Sequence, residues 1–390
     1  MGCINGWFLG VMMLVPGQTW CQQSRSAKTT FSQRHIVWDR STVKQVSPAG
    51  ESANYARMIQ LKNKQLACVY ESKGIKFTTS ADGGNTWTRP ITVAENIAGV
   101  TMNVPDLLEL NDQSLLVSYN PRPRAANGIT DTTRHFAIRT IKSYDGGKTW
   151  KDGRVVYQAG YKFDDGCWEP SQIQLPDGEI QLFFSNEGIY TQSNEQNISL
   201  FRSHDNGLTW TAGPEIASFT THHRDGMPVP LILNGTKQIL FSIEDNAGGQ
   251  FKPSIIRNSF SQNWKTVVGR NSRERNYALS VKLPDSVYAG APFIRQLHSG
   301  ALILSYQCNL SRNHNWELSS MRVAVGDNTG HNFVNTEEPF KIPLNKSALW
   351  NSLCVLNDDT IIAITSTNAY SNHTAIWMIK GHLTTRKLTN

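Results

Sequence analysis

The sequence contains no run of five or more basic residues, no C-x-x-C pair and few long apolar runs of helical period. The first absence removes the usual electrostatic footprint of a nucleic-acid binder, because the formal charge of +7 comes from scattered Lys and Arg. The second removes the common zinc frameworks, and His222-His223 has no third ligand spaced to join it, so neither a metal nor a cofactor is expected. The third disfavours a helical core. No stretch of composition marks an interdomain linker either, which leaves one large domain as the simplest organisation of 390 residues.

The N-terminal apolar stretch, Trp7 to Val15, is too short to span a bilayer and reads as the core of an export signal over residues 1–21. No Lys or Arg precedes Arg25, which departs from the usual signal pattern. Cys21 is a candidate lipoprotein cysteine and the one expected membrane anchor, with simple cleavage as the alternative. Residues 22–34 are polar and read as a disordered linker. The expected location is therefore periplasmic, cell-surface or secreted. Of the cysteines beyond the signal, Cys68 and Cys354 sit in apolar, strand-like runs and read as buried thiols; Cys167 and Cys308 complete the set, and a disulfide stays open in an oxidising compartment.

What is present is repetition. Ser80-Ala-Asp-Gly-Gly-Asn-Thr-Trp87, Ser143-Tyr-Asp-Gly-Gly-Lys-Thr-Trp150 and Ser203-His-Asp-Asn-Gly-Leu-Thr-Trp210 all fit S-x-D-x-G-x-T-W, and their starts lie 63 and then 60 residues apart. Asp, Ser and Thr accept backbone N–H groups in a tight turn, Gly tolerates positive φ, and the Trp returns the chain to a packed strand. Asp82, Asp145 and Asp205 are thus structural rather than catalytic. These octamers resemble the Asp-box, or BNR repeat, of sialidase-like propellers.

Six segments share one pattern of apolar strand, polar turn and apolar strand, the first being Arg57–Leu61 and Leu66–Tyr70, the last Leu353–Leu356 and Ile361–Ile364. Worn octamers stand at Ser261-Gln-Asn-Trp264 and Gly326-Asp-Asn-Thr-Gly330. The expected fold is all-β: a six-bladed β-propeller of four-stranded antiparallel blades over 35–390, closed by the lone early strand Ile36-Val-Trp38.

In such a blade the residues just before the first strand and just after the second must ring one mouth. The entry positions hold Arg57, Asp106, Glu169, Arg224 with Asp225, Tyr288 and Asn351; the exits hold Glu71, Asn120 with Arg122, Glu187, Glu244 with Asp245, and Gln307. Charges gathered out of bulk water cost free energy unless paired, so this concentration points to a cleft that binds or catalyses. Pro170, Pro228 and Pro292 are expected to fix the backbone directly before an inner strand, and Trp168 to offer a face for sugar stacking. Glu169 and Glu244 are the leading carboxylate pair for glycosidic cleavage, with Asp106, Glu187 and Asp225 in reserve.

Over nearly its full length the chain resembles the sialidase superfamily. The resemblance implies an exo-acting hydrolase that removes a terminal sugar, sialic acid or similar, from an oligosaccharide or glycoconjugate, working as a monomer. Tyr55-Ala-Arg-Met-Ile-Gln-Leu61 resembles the sialidase Arg-Ile-Pro segment, which makes Arg57 the first of three carboxylate-clamping arginines, with Arg224 the second. Asp106 matches the acid/base aspartate. The sequence departs from the pattern where sialidases carry a tyrosine nucleophile: Trp350-Asn351 stands there, and Tyr288 is the nearest substitute, one blade earlier. Arg295, the other arginine in that region, lies inside a strand. The exo-arabinanase branch is similar in using two glutamates, and a propeller that binds glycans without cleaving them is a third reading.

Overall fold

The computed structural model describes residues 31–124 and 131–388. The expected signal and Cys21 lie outside the described residues. Strand β1 (Phe31–Gln45) takes in the end of the segment expected to be a linker.

Apolar strands joined by short polar turns stack sideways into antiparallel sheets, and the chain makes six of four strands each. The first blade is β2 (Asn54–Gln60), β3 (Leu66–Glu71), β4 (Gly74–Ser80) and β5 (Ile91–Glu95); the second is β6 (Val100–Glu109), β7 (Leu115–Pro123), β8 (Ala137–Ser143) and β9 (Lys151–Gln158). The third comprises β10 (Cys167–Gln174), β11 (Ile180–Asn186), β12 (Asn197–Ser203) and β13 (Glu215–Ser218), and the fourth β14 (Asp225–Ile232), β15 (Gln238–Asp245), β16 (Lys252–Ser259) and β17 (Arg275–Tyr277). The fifth holds β18 (Ala289–Gln296), β19 (Leu302–Cys308), β20 (Ser320–Gly326) and β21 (Val334–Glu337). The sixth joins β22 (Ala348–Val355), β23 (Ile361–Thr367) and β24 (Ala375–Leu388) to β1, so the N-terminal strand closes the last blade as expected. Each inner strand packs on the inner strand of the next blade, and β22 returns to β2.

The Asp-boxes are latches between neighbouring blades. In each, the Ser hydroxyl donates to the Asp carboxylate and accepts the Gly N–H, while the Thr N–H and hydroxyl donate to the two carboxylate oxygens at 2.6–2.9 Å. These bonds, those from Thr149 first, hold the Asp145 carboxyl down at about 2. The turn so fixed presses its Gly against the preceding blade: Gly84 meets Met378, Gly147 meets Phe77 and Gly207 meets Leu116. Trp150 adds an edge contact to Phe77 at 5.4 Å. The worn copies keep the contact without the full motif, for Trp264 packs 5.4 Å from Phe183 of the third blade and Gly330 lies against Ile255 of the fourth. Cys68, Cys167, Cys308 and Cys354 are free buried thiols.

A Cβ at Gly147 would overlap the Phe77 ring at φ +90, whereas one at Gly146 would meet nothing at φ +72. Gly147→Ala is expected to cost about 2 kcal/mol or more in denaturant unfolding, and Gly146→Ala roughly 1 kcal/mol for its backbone alone. Equal costs would contradict the latch.

Candidate active site

One irregularity recurs in all six inner strands. Pairing with the second strand slips between Asn54 and Arg57, Asn103 and Asp106, Trp168 and Ser171, Gly226 and Val229, Gly290 and Phe293, and Leu349 and Ser352. Each slip is a two-residue bulge whose first member has positive φ without being glycine: Tyr55, Val104, Glu169, Met227, Ala291 and Trp350, at 44° to 53°. Proline occupies the second position in four blades, as Pro105, Pro170, Pro228 and Pro292. These prolines therefore lie inside the inner strands, where the bulge needs no ladder bond, rather than before them.

Tyr55, Val104, Met227 and Ala291 form one buried cluster with Trp350 packed against it. The remaining bulge position is Glu169, the one carboxylate of the set. An apolar floor thus meets a single carboxylate.

The bulge amides point across to the preceding blade, where the residue at the end of the second strand accepts them. Tyr55 N donates to Ser366 Oγ, Val104 N to Glu71 Oε2, Met227 N to Ser185 Oγ, Ala291 N to Glu244 Oε2 and Trp350 N to Gln307 Oε1, at 2.8–3.1 Å. Glu244 is therefore both a staple between blades and a neighbour of the floor. Ser185 also donates to Glu169 Oε2 at 3.2 Å, which ties Glu169 to the Met227 bulge beside which Glu244 lies. Room for Glu244 comes from two glycines: a Cβ on Gly226 would approach its Cγ to 3.1 Å, and one on Gly290 would approach its Oε2 to 2.6 Å and overlap the Tyr288 hydroxyl.

The two glutamates differ in their partners. Glu169, 18% exposed at its side chain, has the Arg122 guanidinium 3.7 Å away; burial pushes its pKa up and Arg122 opposes the rise. Among the described residues no cation is in ion-pair contact with Glu244; burial, reinforced by the Glu169 charge, pushes it up to about 7 against the Ala291 N–H hydrogen bond and the more distant Arg224 charge. Tyr288 is raised well above the ordinary phenol range by burial, then by Glu244, so it stays a hydroxyl; Gln307 Nε2 donates to it at 2.8 Å. Glu187 pairs with Arg224 and accepts from Gln196 Nε2 at 2.8 Å. Burial raises the Glu187 carboxyl to about 7, against the pull of Arg224.

Beside Tyr288 stands an aromatic wall that sequence reasoning missed. Trp316, 40% exposed on the short turn Trp316–Leu318, packs 5.7 Å from Tyr288 and 6.0 Å from Trp350, which lies 6.1 Å from Tyr55. Trp316 belongs to no repeat, so nothing in the sequence singled it out. The bulge was legible: alignment of the inner strands on their prolines isolates Glu169 among apolar residues.

Glu169, Glu244, Tyr288, Glu187, Arg122 and Arg224 therefore share one mouth, as expected. Four other expectations need correction. Arg57 and Asp106 follow the bulge rather than precede it, which places them beneath the floor: the Arg57 guanidinium lies 4.0 Å over the Tyr55 ring, and Asp106 accepts from Ser171 Oγ and Gln172 N. Asp225 is fully buried in an ion pair with Arg275, which also binds Asp245, and so braces the fourth blade. Trp168 is buried, with Arg122 4.8 Å over one ring and Phe163 packed at 4.8 Å; it seats Arg122 instead of offering a sugar a face.

No family model and no curated protein matches the sequence. Among solved structures, a protein of unknown function from Dyadobacter fermentans is similar over 90% of this chain and 99% of its own, with a TM-score of 0.68 and 14% identity. The GH93 α-L-arabinofuranosidase of Fusarium graminearum in complex with arabinobiose is similar over 90% of this chain and 97% of its own (TM-score 0.61, 16% identity), and the NanB sialidase of Streptococcus pneumoniae over 87% and 70% (TM-score 0.61, 10% identity). At these identities the likeness is one of fold. The chain is a sialidase-like six-bladed propeller, an architecture it shares with glycoside hydrolases.

A carboxyl whose folded pKa is raised keeps its proton to higher pH than the unfolded chain, so it costs stability as pH climbs from the ordinary glutamate value through about 7. Glu244→Gln keeps the acceptor for Ala291 N–H and abolishes that cost. Its stability relative to the parent is expected to rise by up to about 3 kcal/mol between pH 5 and pH 8 in denaturant unfolding; a pH-independent difference would contradict the burial of an uncompensated carboxyl.

Proposed function

We propose that the protein is an exo-acting glycoside hydrolase that removes a terminal neutral sugar, with Glu244 as proton donor and Glu169 as the carboxylate that attacks or stabilises the anomeric centre. The observation that carries this reading is the asymmetry of two half-buried glutamates at one mouth: Glu169 has a guanidinium 3.7 Å away, and among the described residues Glu244 has none in contact. Glycosidic cleavage needs that division, one carboxyl holding a proton at neutral pH and one ionised.

In this mechanism the Glu244 carboxyl gives its proton to the glycosidic oxygen as the bond to the anomeric carbon breaks. The Glu169 carboxylate meets the positive charge that develops on the sugar ring. Arg122 favours the ionised form of Glu169, and Ser185 donates a hydrogen bond to it. The Tyr288 hydroxyl, held by Gln307 against the same glycine as Glu244, is placed to bond the sugar or the departing oxygen. The apolar floor closes the site from below, which suits the end of a glycan. The aromatic wall gives the sugar an apolar face to lie on.

A neutral sugar is favoured by the arginines. Arg122 and Arg224 are engaged by Glu169 and Glu187, while Arg57 and Arg295 lie below the floor, so no guanidinium trio faces the mouth among the described residues. The arabinofuranosidase likeness supports a furanoside substrate. A sialidase reading draws on one observation, the proximity of Tyr288 to Glu244, which resembles a tyrosine nucleophile with its glutamate.

Hydrolysis of 4-nitrophenyl α-L-arabinofuranoside and of an aryl sialoside separates the two. Release from the arabinofuranoside is expected, with Glu169→Gln and Glu244→Gln each lowering kcat/KM by about 1000-fold or more while ligand binding persists. Release from the sialoside alone would overturn the neutral-sugar reading, and unchanged turnover in both variants would remove the assignment of the pair. Trp316→Ala is expected to raise KM about 10-fold with kcat within roughly 3-fold, since stacking acts on ground state and transition state alike. An unaltered KM would exclude Trp316 from the sugar site.

A further inference from the structure

Beneath the floor the inner strands repeat a second layer, three residues into the regular pairing that follows each bulge. Ile59, Leu108, Ile173, Leu231 and Cys354 fill five of its six positions, and the sixth is Arg295. This layer gives onto a cavity of about 280 Å³ on the side away from the mouth, walled by Ile59, Leu231 and Cys354 and edged by the amides of Gln60, Asn234 and Gln296. An arginine in an otherwise apolar layer calls for a counter-charge.

The protein supplies only part of one. The Arg295 guanidinium donates a single hydrogen bond to protein, from Nη1 to Ile294 O at 2.8 Å, and lies 4.2 Å over the Phe293 ring. The Arg57 guanidinium lies 4.9 Å over the same ring. Asp106 is the acidic group that acts on both arginines, and it also accepts from Ser171 and Gln172. Two guanidinium groups thus share one carboxylate, and of these three groups only Arg295 lines the cavity. Burial lowers the Arg295 pKa to about 10, the direction expected of a guanidinium short of partners. An uncompensated charge out of bulk water is costly, and a guanidinium fork with free N–H groups matches the geometry of an oxyanion.

We propose that the channel below the floor is an anion site, in which Arg295 binds a small oxyanion such as phosphate, sulfate or a carboxylate. The anion completes the charge balance at the hub where the first, fourth, fifth and sixth blades meet. It is separate from the mouth and needs no part of the hydrolase reading.

Thermal unfolding in a buffer of fixed ionic strength tests the site, with sodium phosphate, sulfate or acetate added in turn to about 10 mM. The midpoint of the parent is expected to rise by a few degrees with at least one of them, and the rise to vanish in Arg295→Gln; the acetate arm distinguishes a carboxylate ligand from an inorganic one. An insensitive parent, or an equal rise in the variant, the signature of general salt exclusion, would overturn the proposal. Should Arg295→Gln not fold, parent crystals soaked in sodium selenate serve instead: anomalous density within hydrogen-bond distance of Arg295 supports the site, and an empty channel refutes it.

Discussion

The structure depends on a strained backbone conformation used six times around one axis. A non-glycine residue at positive φ is uncommon, and the residue before proline is steered away from the α regions, yet the first bulge residue defies both preferences in four blades. The conformation persists because the amide it exposes has somewhere to go. Ser366, Glu71, Ser185, Glu244 and Gln307 each reach from one blade to satisfy the bulge of the next. A buried N–H that can only be satisfied by a neighbour forces the blades into register, and that register delivers side chains from several blades to one hollow.

The site grows out of this arrangement through two exceptions. Where the other five bulge residues build an apolar floor, Glu169 is a carboxylic acid, and where three blades staple the next bulge with a neutral group, the fourth uses Glu244. Glu71 is also a carboxylate staple, but the bulge it serves is Val104, and Asn103 shares its oxygen. Only at the fourth and fifth blades does a staple carboxylate stand beside glycines, Gly226 and Gly290, that open the space above it. Burial then raises both carboxyls, and Arg122, supported on Trp168 and by Asn120 Oδ1 at 2.7 Å, acts on one of them. Two carboxyls thus share a burial cost, and only one of them has a guanidinium within ion-pair distance among the described residues.

The architecture was legible because repetition writes the same physics several times. Three octamers with a fixed turn chemistry, six strand pairs and an unpaired early strand leave little freedom for anything but a closed ring. The placement of Glu169, Glu244, Tyr288, Glu187, Arg122 and Arg224 near one another was legible because strand ends are countable. Arg57 and Asp106 were misplaced because a bulge inserts a residue that a count of strand ends does not see. Asp225 misled for a different reason: its partner Arg275 lies 50 residues on in the outermost strand, and only the sheet brings them together. Trp316 sits on a turn without a repeat, where position alone carries no information.

The central claim is that burial, reinforced by the charge on Glu169, holds the Glu244 proton up to about pH 7. Carbon-13 NMR titration of the glutamate carboxyl groups in the intact protein measures this directly. Glu187 and Glu244 should both titrate near pH 7, and of the two the signal that disappears in Glu244→Gln should move to lower pH in Glu169→Gln, where the neighbouring charge is gone. A Glu244 carboxyl that titrates in the ordinary range, or one indifferent to Glu169, would contradict the account.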